Sequence, residues 1–206
     1  FNVSSGVLNI NGNVLAGGLG SFVRTGGTVN LGGTFNNTGN TLDIGGTGIF
    51  GPGGLSSIAG TFIGGTIVSG DGVALTSSSV TLNGVTLGSA AKPNLTVNGS
   101  VFMSGSLTLG DGAVINKGAN YWYFNTTGNQ SISTATTGTI NSAGGAIYSG
   151  YSVAGQTLTL GSGVTLQGYG QLADSSAATI VNNGTVIANT AGQTLTINPT
   201  TFTNNG

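Results

Sequence analysis

One short phrase, an apolar residue, then Thr, Asn or Asp, then a second apolar residue, recurs along the whole chain. It reads Leu8-Asn9-Ile10, Val29-Asn30-Leu31, Leu42-Asp43-Ile44, Val80-Thr81-Leu82, Val85-Thr86-Leu87, Leu95-Thr96-Val97, Leu107-Thr108-Leu109, Leu158-Thr159-Leu160, Val164-Thr165-Leu166 and Leu195-Thr196-Ile197. Alternation with period two belongs to a strand with one buried face and one wet face. Between the phrases stand Gly-Gly, Asn-Gly, Asp-Gly and Ser-Gly pairs, which turn the chain because Gly tolerates positive φ and Asn or Asp bonds its own backbone. No helical periodicity interrupts the series. The pattern predicts short strands wound coil upon coil.

Charge is nearly absent: 3% of the 206 residues are charged, and there is no Glu, His or Cys. The ionic side chains are Arg24, Lys92, Lys117, Asp43, Asp71, Asp111 and Asp174. A parallel solenoid explains this scarcity, since identical outward positions on successive coils stack about 4.8 Å apart and like charges there repel. Thr, Ser and Asn fill such rows without that cost. Hairpins built on the Asp-Gly and Asn-Gly pairs would instead give a sandwich or barrel. Sandwiches do not ordinarily repeat a phrase at fixed offset, and they carry more charge on their wet faces. With 41 Gly the chain could suggest disorder, but 37% of it is hydrophobic and regularly patterned, so it can bury a core.

The clearest internal repeat is Gly155-Gln156-Thr157-Leu158-Thr159-Leu160 against Gly192-Gln193-Thr194-Leu195-Thr196-Ile197. Its offset predicts two coils of roughly 18–19 residues each. A second echo links Thr34-Phe35-Asn36-Asn37, Thr179-Ile180-Val181-Asn182 and Thr201-Phe202-Thr203-Asn204. These readings predict an all-β fold, one continuous right-handed parallel β-solenoid of about ten coils over residues 1–206. The chain begins at Phe1 inside the pattern and stops where another coil would start, so it reads as a piece of a longer chain or as a stacking subunit.

The series Gly65-Thr66-Ile67-Val68-Ser69-Gly70, Ser79 to Leu87, Leu95-Thr96-Val97-Asn98-Gly99 and Gly105 to Gly112 resembles known sequences. With the Gly-Gln-Thr-Leu-Thr repeats and the final Thr-Phe-Thr-Asn-Asn-Gly, it is similar to the β-strand-repeat segments of large secreted bacterial surface proteins, akin to autotransporter passengers and filamentous-haemagglutinin-like adhesins. The resemblance implies an exported protein at the bacterial surface, with a right-handed solenoid serving as stalk, matrix or adhesin. It lies in scaffold positions and carries over no catalytic residue.

Composition narrows function further. A net charge of −1 excludes the clustered Lys and Arg of a nucleic-acid surface, and no run reaches the roughly 18–20 apolar residues of a membrane helix. Carboxylate-based catalysis is not expected from four scattered Asp without Glu or His. Asp71 and Asp111 stand in Gly-Asp-Gly turns, Asp43 reads as a solvated strand residue, and neither a metal nor a cofactor is implied. Asp71 and Asp111 are too far apart for a calcium-binding nonapeptide array.

Two surfaces remain. The open ends, Phe1, Val3, Leu8 and Ile10 at one side and Thr201, Phe202, Asn204 and Asn205 at the other, suggest end-to-end assembly by strand addition. That makes a homo-oligomer, a filament or neighbouring repeats of the same chain the expected partners. The other surface is Tyr121-Trp122-Tyr123-Phe124. In a strand Trp122 and Phe124 share one face and Tyr121 and Tyr123 the other. With the Tyr pair outside, and Tyr148, Tyr151 or Tyr169 nearby, the patch would be a stacking platform for sugar rings. Otherwise it is a bulky aromatic layer that fills a wider coil or covers an irregular junction. An ice-binding lattice of Thr pairs, such as Thr157/Thr159 and Thr194/Thr196, is a third reading, weakened by their irregular spacing.

Overall fold

The computed structural model describes residues 1–206, and they form a parallel β-solenoid of about nine turns. Twenty-six strands and one 3-10 turn, Ala16–Leu19, make up the chain. Each full coil contributes one strand to each of three stacks. The first stack runs from Val7–Ile10 through Thr28–Leu31 to Thr185–Ile187, and the second from Asn13–Leu15 through Thr34–Asn36 to Leu195–Asn198. The third begins one coil later, at Thr41–Asp43, and ends at Thr201–Asn204. All of the strand pairs are parallel, the ladder geometry that a coil-on-coil winding requires.

Alternation sets what each strand buries. In the second stack Val14, Phe35, Phe62, Leu82, Met103 and Phe124 lie in register and point inward, with Phe62 and Phe124 fully buried. Phe35 and Phe62 meet at 5.1 Å between ring centroids. The outward row of the same stack starts Thr34, Thr61, Thr81 and then turns aromatic with Phe102, Tyr123 and Tyr148. Together the inward rows form one cluster of 36 buried apolar residues that runs the length of the rod.

Outward polar rows are held by side-chain amides. On the first stack Asn116 donates to Thr96, Asn141 to Asn116 at 2.9 Å, Gln167 to Asn141 at 2.7 Å and Asn189 to Gln167. Each amide carries both a donor and an acceptor, so a row of them can bond without limit along the axis. A shorter outward ladder joins Asn9, Asn30 and Ser57, while on the inner face the buried Asn182 donates to Asn204. These rows are the neutral filling that the sparse charge requires.

The coils are longer and fewer than the phrase count suggests. Successive register partners are 20 residues apart between Ile67 and Leu87 and 28 apart between Ile132 and Leu160. The repeated Gly-Gln-Thr-Leu-Thr segments lie on different faces: Leu158 belongs to the third stack and Leu195 to the second. Leu158 is followed in register by Ile180 and then Phe202, so the 37-residue offset is not a whole number of coils. The echo between Thr179–Asn182 and Thr201–Asn204 does mark adjacent coils, whereas Thr34–Asn36 sits on the second stack. The phrase is common to three faces, so counting it overcounts coils. No helix is long and apolar enough to cross a membrane.

Candidate binding surface

The chain departs from its own rule on the outer face of the second stack. Trp122 and Phe124 are fully buried, as alternation predicts, and Tyr121 and Tyr123 face outward. Tyr148 continues the row one coil on, because it pairs in register with Tyr123. The two rings lie 5.6 Å apart and within 4° of parallel. Tyr121 is nearly parallel to both, at 6.0 and 6.3 Å, while Tyr151 leans on Tyr123 at 4.3 Å and Phe102 stacks on it at 5.0 Å.

The expected sugar platform therefore takes a different form. Rings of this cluster cover much of one another, and Tyr121 is left as the exposed one, 42% accessible. Burial among the rings, with added phenolate repulsion from Tyr151, Tyr148 and Tyr121, pushes the Tyr123 hydroxyl above the usual tyrosine range. Tyr169 stands apart from this cluster, with its ring against Gly144 at the adjoining corner.

Beside Tyr121 and Tyr148 runs a polar groove of about 380 Å³, lined also by Gly145, Gly170, Gln171, Thr194 and Thr196. It follows the corner between the first and second stacks. In the seventh and eighth coils this corner has no loop: single strands, Gly138–Ser149 and Val164–Asp174, pass through it and serve both stacks. Glycine makes that possible. Gly145 has φ +62°, and a Cβ there would sit 2.2 Å from the Asn120 carbonyl oxygen. Gly170 donates its N–H to Thr194 at 3.0 Å, tying the corner to the last coil.

Inside the same corner lies Lys117, fully buried and without an acidic partner. Its Nζ donates to the carbonyls of Asn120 and Gly144, the latter at 2.8 Å. Desolvation lowers its pKa to about 8. Counting Lys117 only among the few scattered charges leaves this role unseen. The signal was in the parity, since Ala113, Ile115 and Lys117 alternate onto one face and that face points inward.

A second polar corner sits at the start of the third stack, beside its first strand Thr41–Asp43. Asp43 accepts from Gly45 at 2.9 Å, Gly70 at 3.0 Å, Thr47 at 3.2 Å and Lys92 at 2.6 Å. Burial alone would raise its pKa, but the Lys92 ammonium and the two backbone N–H groups outweigh that and hold it below the usual carboxylate range. Asp43 is thus a tethered strand-end residue and not a freely solvated one. Asp71 does act in its turn, accepting from Val73, and also reaches Gly46 at 2.8 Å on the preceding coil. Asp111 meets Thr136 of the next coil. A cavity of about 410 Å³ opens here, lined among others by Asn37, Asp43, Thr47 and Lys92. Nowhere do three or more His, Cys, Asp or Glu gather as metal ligands would. Arg24 is buried at the same end of the rod, on the carbonyls of Gly27 and Gly54.

The last coil is open. Val186, Leu195, Ile197 and Phe202 surround a mouth of about 350 Å³, and Thr201, Phe202, Asn204 and Asn205 are exposed around it. Asn204 and Asn205 bond backward to Asn182 and Asn183. At the opposite end Phe1 is exposed and stacks on Phe22, Val3 is buried, and Leu8 and Ile10 are half-buried against the core. Thr157/Thr159 and Thr194/Thr196 lie on the third and second stacks respectively, so they do not share one lattice.

Comparison with protein-family models, with curated proteins and with solved structures finds no match for this chain.

Proposed function

We propose that this solenoid is a non-enzymatic structural rod of an exported bacterial surface protein, and that copies stack end to end through their open coil edges. The observation behind the reading is the apolar mouth of the last coil. Val186, Leu195, Ile197 and Phe202 are inward-facing core positions of the ninth coil, and its strand edges can pair with a further coil. A net charge of −1 offers little repulsion between copies.

Stacked face for face, Thr185–Ile187 of one copy would pair with Val7–Ile10 of the next, and Leu195–Asn198 with Asn13–Leu15. Thr201–Asn204 would meet the Ala16–Leu19 turn, where the third stack has no strand. Electron microscopy with light scattering over a dilution series tests this. Nine coils at about 4.8 Å make a rod of roughly 43 Å, so filaments with that axial repeat are the expected outcome. A monomer at every concentration overturns stacking between copies.

A second reading is favoured by the aromatic cluster, because the outer row of the second stack changes from Thr to Phe102, Tyr123 and Tyr148, with Tyr121 exposed beside it. In that reading the rod is an adhesin segment, and Tyr121, Tyr123, Tyr148 and Tyr151 belong to its contact surface. Extracellular or cell-surface exposure accompanies both readings.

A further inference from the structure

We propose that the groove beside Tyr121 and Tyr148 is a binding site for a neutral, linear, hydroxyl-rich glycan segment. This deepens the adhesin reading and rests on it. The groove joins four successive coils: Tyr121 in the sixth, Gly145 and Tyr148 in the seventh, Gly170 and Gln171 in the eighth, Thr194 and Thr196 in the ninth. At one strand spacing per coil its length is about 14 Å. An extended β-linked hexose chain advances by about one strand spacing per sugar, so one ring can sit at each coil.

The chemistry of the lining selects the ligand. No charged side chain lines the groove, which disfavours phosphate, sulfate or uronate. Gln171 brings an amide that both donates and accepts, Thr194 and Thr196 bring hydroxyls, and Tyr121 and Tyr148 bring hydroxyls on rigid rings. None of the tyrosine hydroxyls is engaged in a hydrogen bond within the protein, so the groove offers several unspent partners for hydroxyl groups. Tyr121 and Tyr148 pack against aromatic neighbours, which fixes their rings and lowers the ordering cost of binding. The remaining surface of Tyr121 gives the C–H face of a pyranose an apolar wall. At about 380 Å³ the groove lies in the lower part of the roughly 300–1,000 Å³ range of ligand pockets. Gly145 and Gly170 keep its floor shallow, because a Cβ on either would meet backbone atoms of the preceding coil.

Cellohexaose, maltohexaose and chitohexaose, titrated calorimetrically into the intact chain, test the proposal, with a heparin-derived hexasaccharide as the charged comparison. At least one neutral oligosaccharide is expected to bind, and Tyr121→Ala and Gln171→Ala should each weaken it at least fivefold. Both residues are exposed, so thermal melts of the variants should match the parent. Thr194→Trp, which fills the groove from an exposed position, should abolish binding. In parallel, adhesion of the immobilised chain to a mucin-coated surface reads the adhesin function without reference to this groove. Adhesion without neutral-glycan binding, or binding untouched by the three substitutions, overturns the site and leaves adhesion standing. Loss of both adhesion and binding overturns the two readings together.

Discussion

Lys92 places its ammonium 2.6 Å from the carboxylate of Asp43, a residue 49 positions earlier and two coils away. Gly70 of the intervening coil donates its N–H to the same carboxylate, so one aspartate is bonded by three consecutive coils.

Asp43→Asn should therefore be costly and Lys92→Met nearly silent. The aspartate loses charge-assisted bonds from two backbone N–H groups, worth about 1–3 kcal/mol in all. Lys92 is 39% exposed, and its side of the pair is worth less than about 1 kcal/mol. Chemical denaturation of the two variants at pH 7 checks the asymmetry. The folded pKa of Asp43 lies below its unfolded value, so its contribution is full above about pH 4 and is lost as pH falls through the folded value. Asp174, which burial would raise but which the N–H of Ala178 and the bonds from Thr200 hold down, titrates in the same direction. Asp43→Asn should flatten the acid limb of the stability curve without removing it.

Lys117 gives the opposite slope at alkaline pH. Its folded pKa is about 8, and the unfolded side chain keeps its proton to about pH 10.4. Between those values the unfolded chain holds more protons, so stability rises with pH. From pH 7.5 to 9.5 the gain should approach about 2 kcal/mol. Lys117→Met should abolish the rise while leaving the acid limb intact. Melting temperatures of both proteins across that interval decide it, and a flat profile in the parent would sink the prediction.

Asn141 lies in the middle of the outer amide ladder, accepting from Gln167 and donating to Asn116. Asn141→Ala leaves both neighbours short of a partner and should cost about 1–3 kcal/mol. Asn141→Asp places a carboxylate that can accept from Gln167 but cannot donate to Asn116, so its penalty should shrink as pH drops through the aspartate's pKa. Urea titrations at pH 7 and pH 3.5, each read against the parent, separate the two effects.

Gly145→Ala tests the corner. The backbone is in the left-handed region and the new methyl group would strike the Asn120 carbonyl, which already accepts from Lys117. A loss of about 1–3 kcal/mol is expected, read as a lower melting temperature.

Strand identity and the sharing of faces were legible in the repeated phrases, because alternation is a local signal: Trp122 and Phe124 share one face of their strand and Tyr123 takes the other. Coil length was not. It depends on corners such as Ile44 to Gly54, where the chain leaves the strand pattern for a loop that Arg24 braces from the coil before. Nor do the phrases say which face they occupy, so Leu158 and Leu195 looked like successive copies of one position. The groove was hidden for a related reason. Gln171, Thr194 and Thr196 are ordinary outward residues, and only the winding brings them beside Tyr121. Arg24 shows the limit of parity, since it is buried while its apolar neighbour Val23 is 62% exposed.

The parallel ladders also fix how such a rod would carry load. Their hydrogen bonds run along the axis, and each coil grips only the coils on either side. Tension on the two ends would peel coils one at a time from an end instead of shearing the whole core at once. Each release would free the residues between register partners, such as the 20 from Ile67 to Leu87, or roughly 70 Å of slack. A rod wound this way would yield in steps, absorbing a pull that a more brittle body would pass on whole.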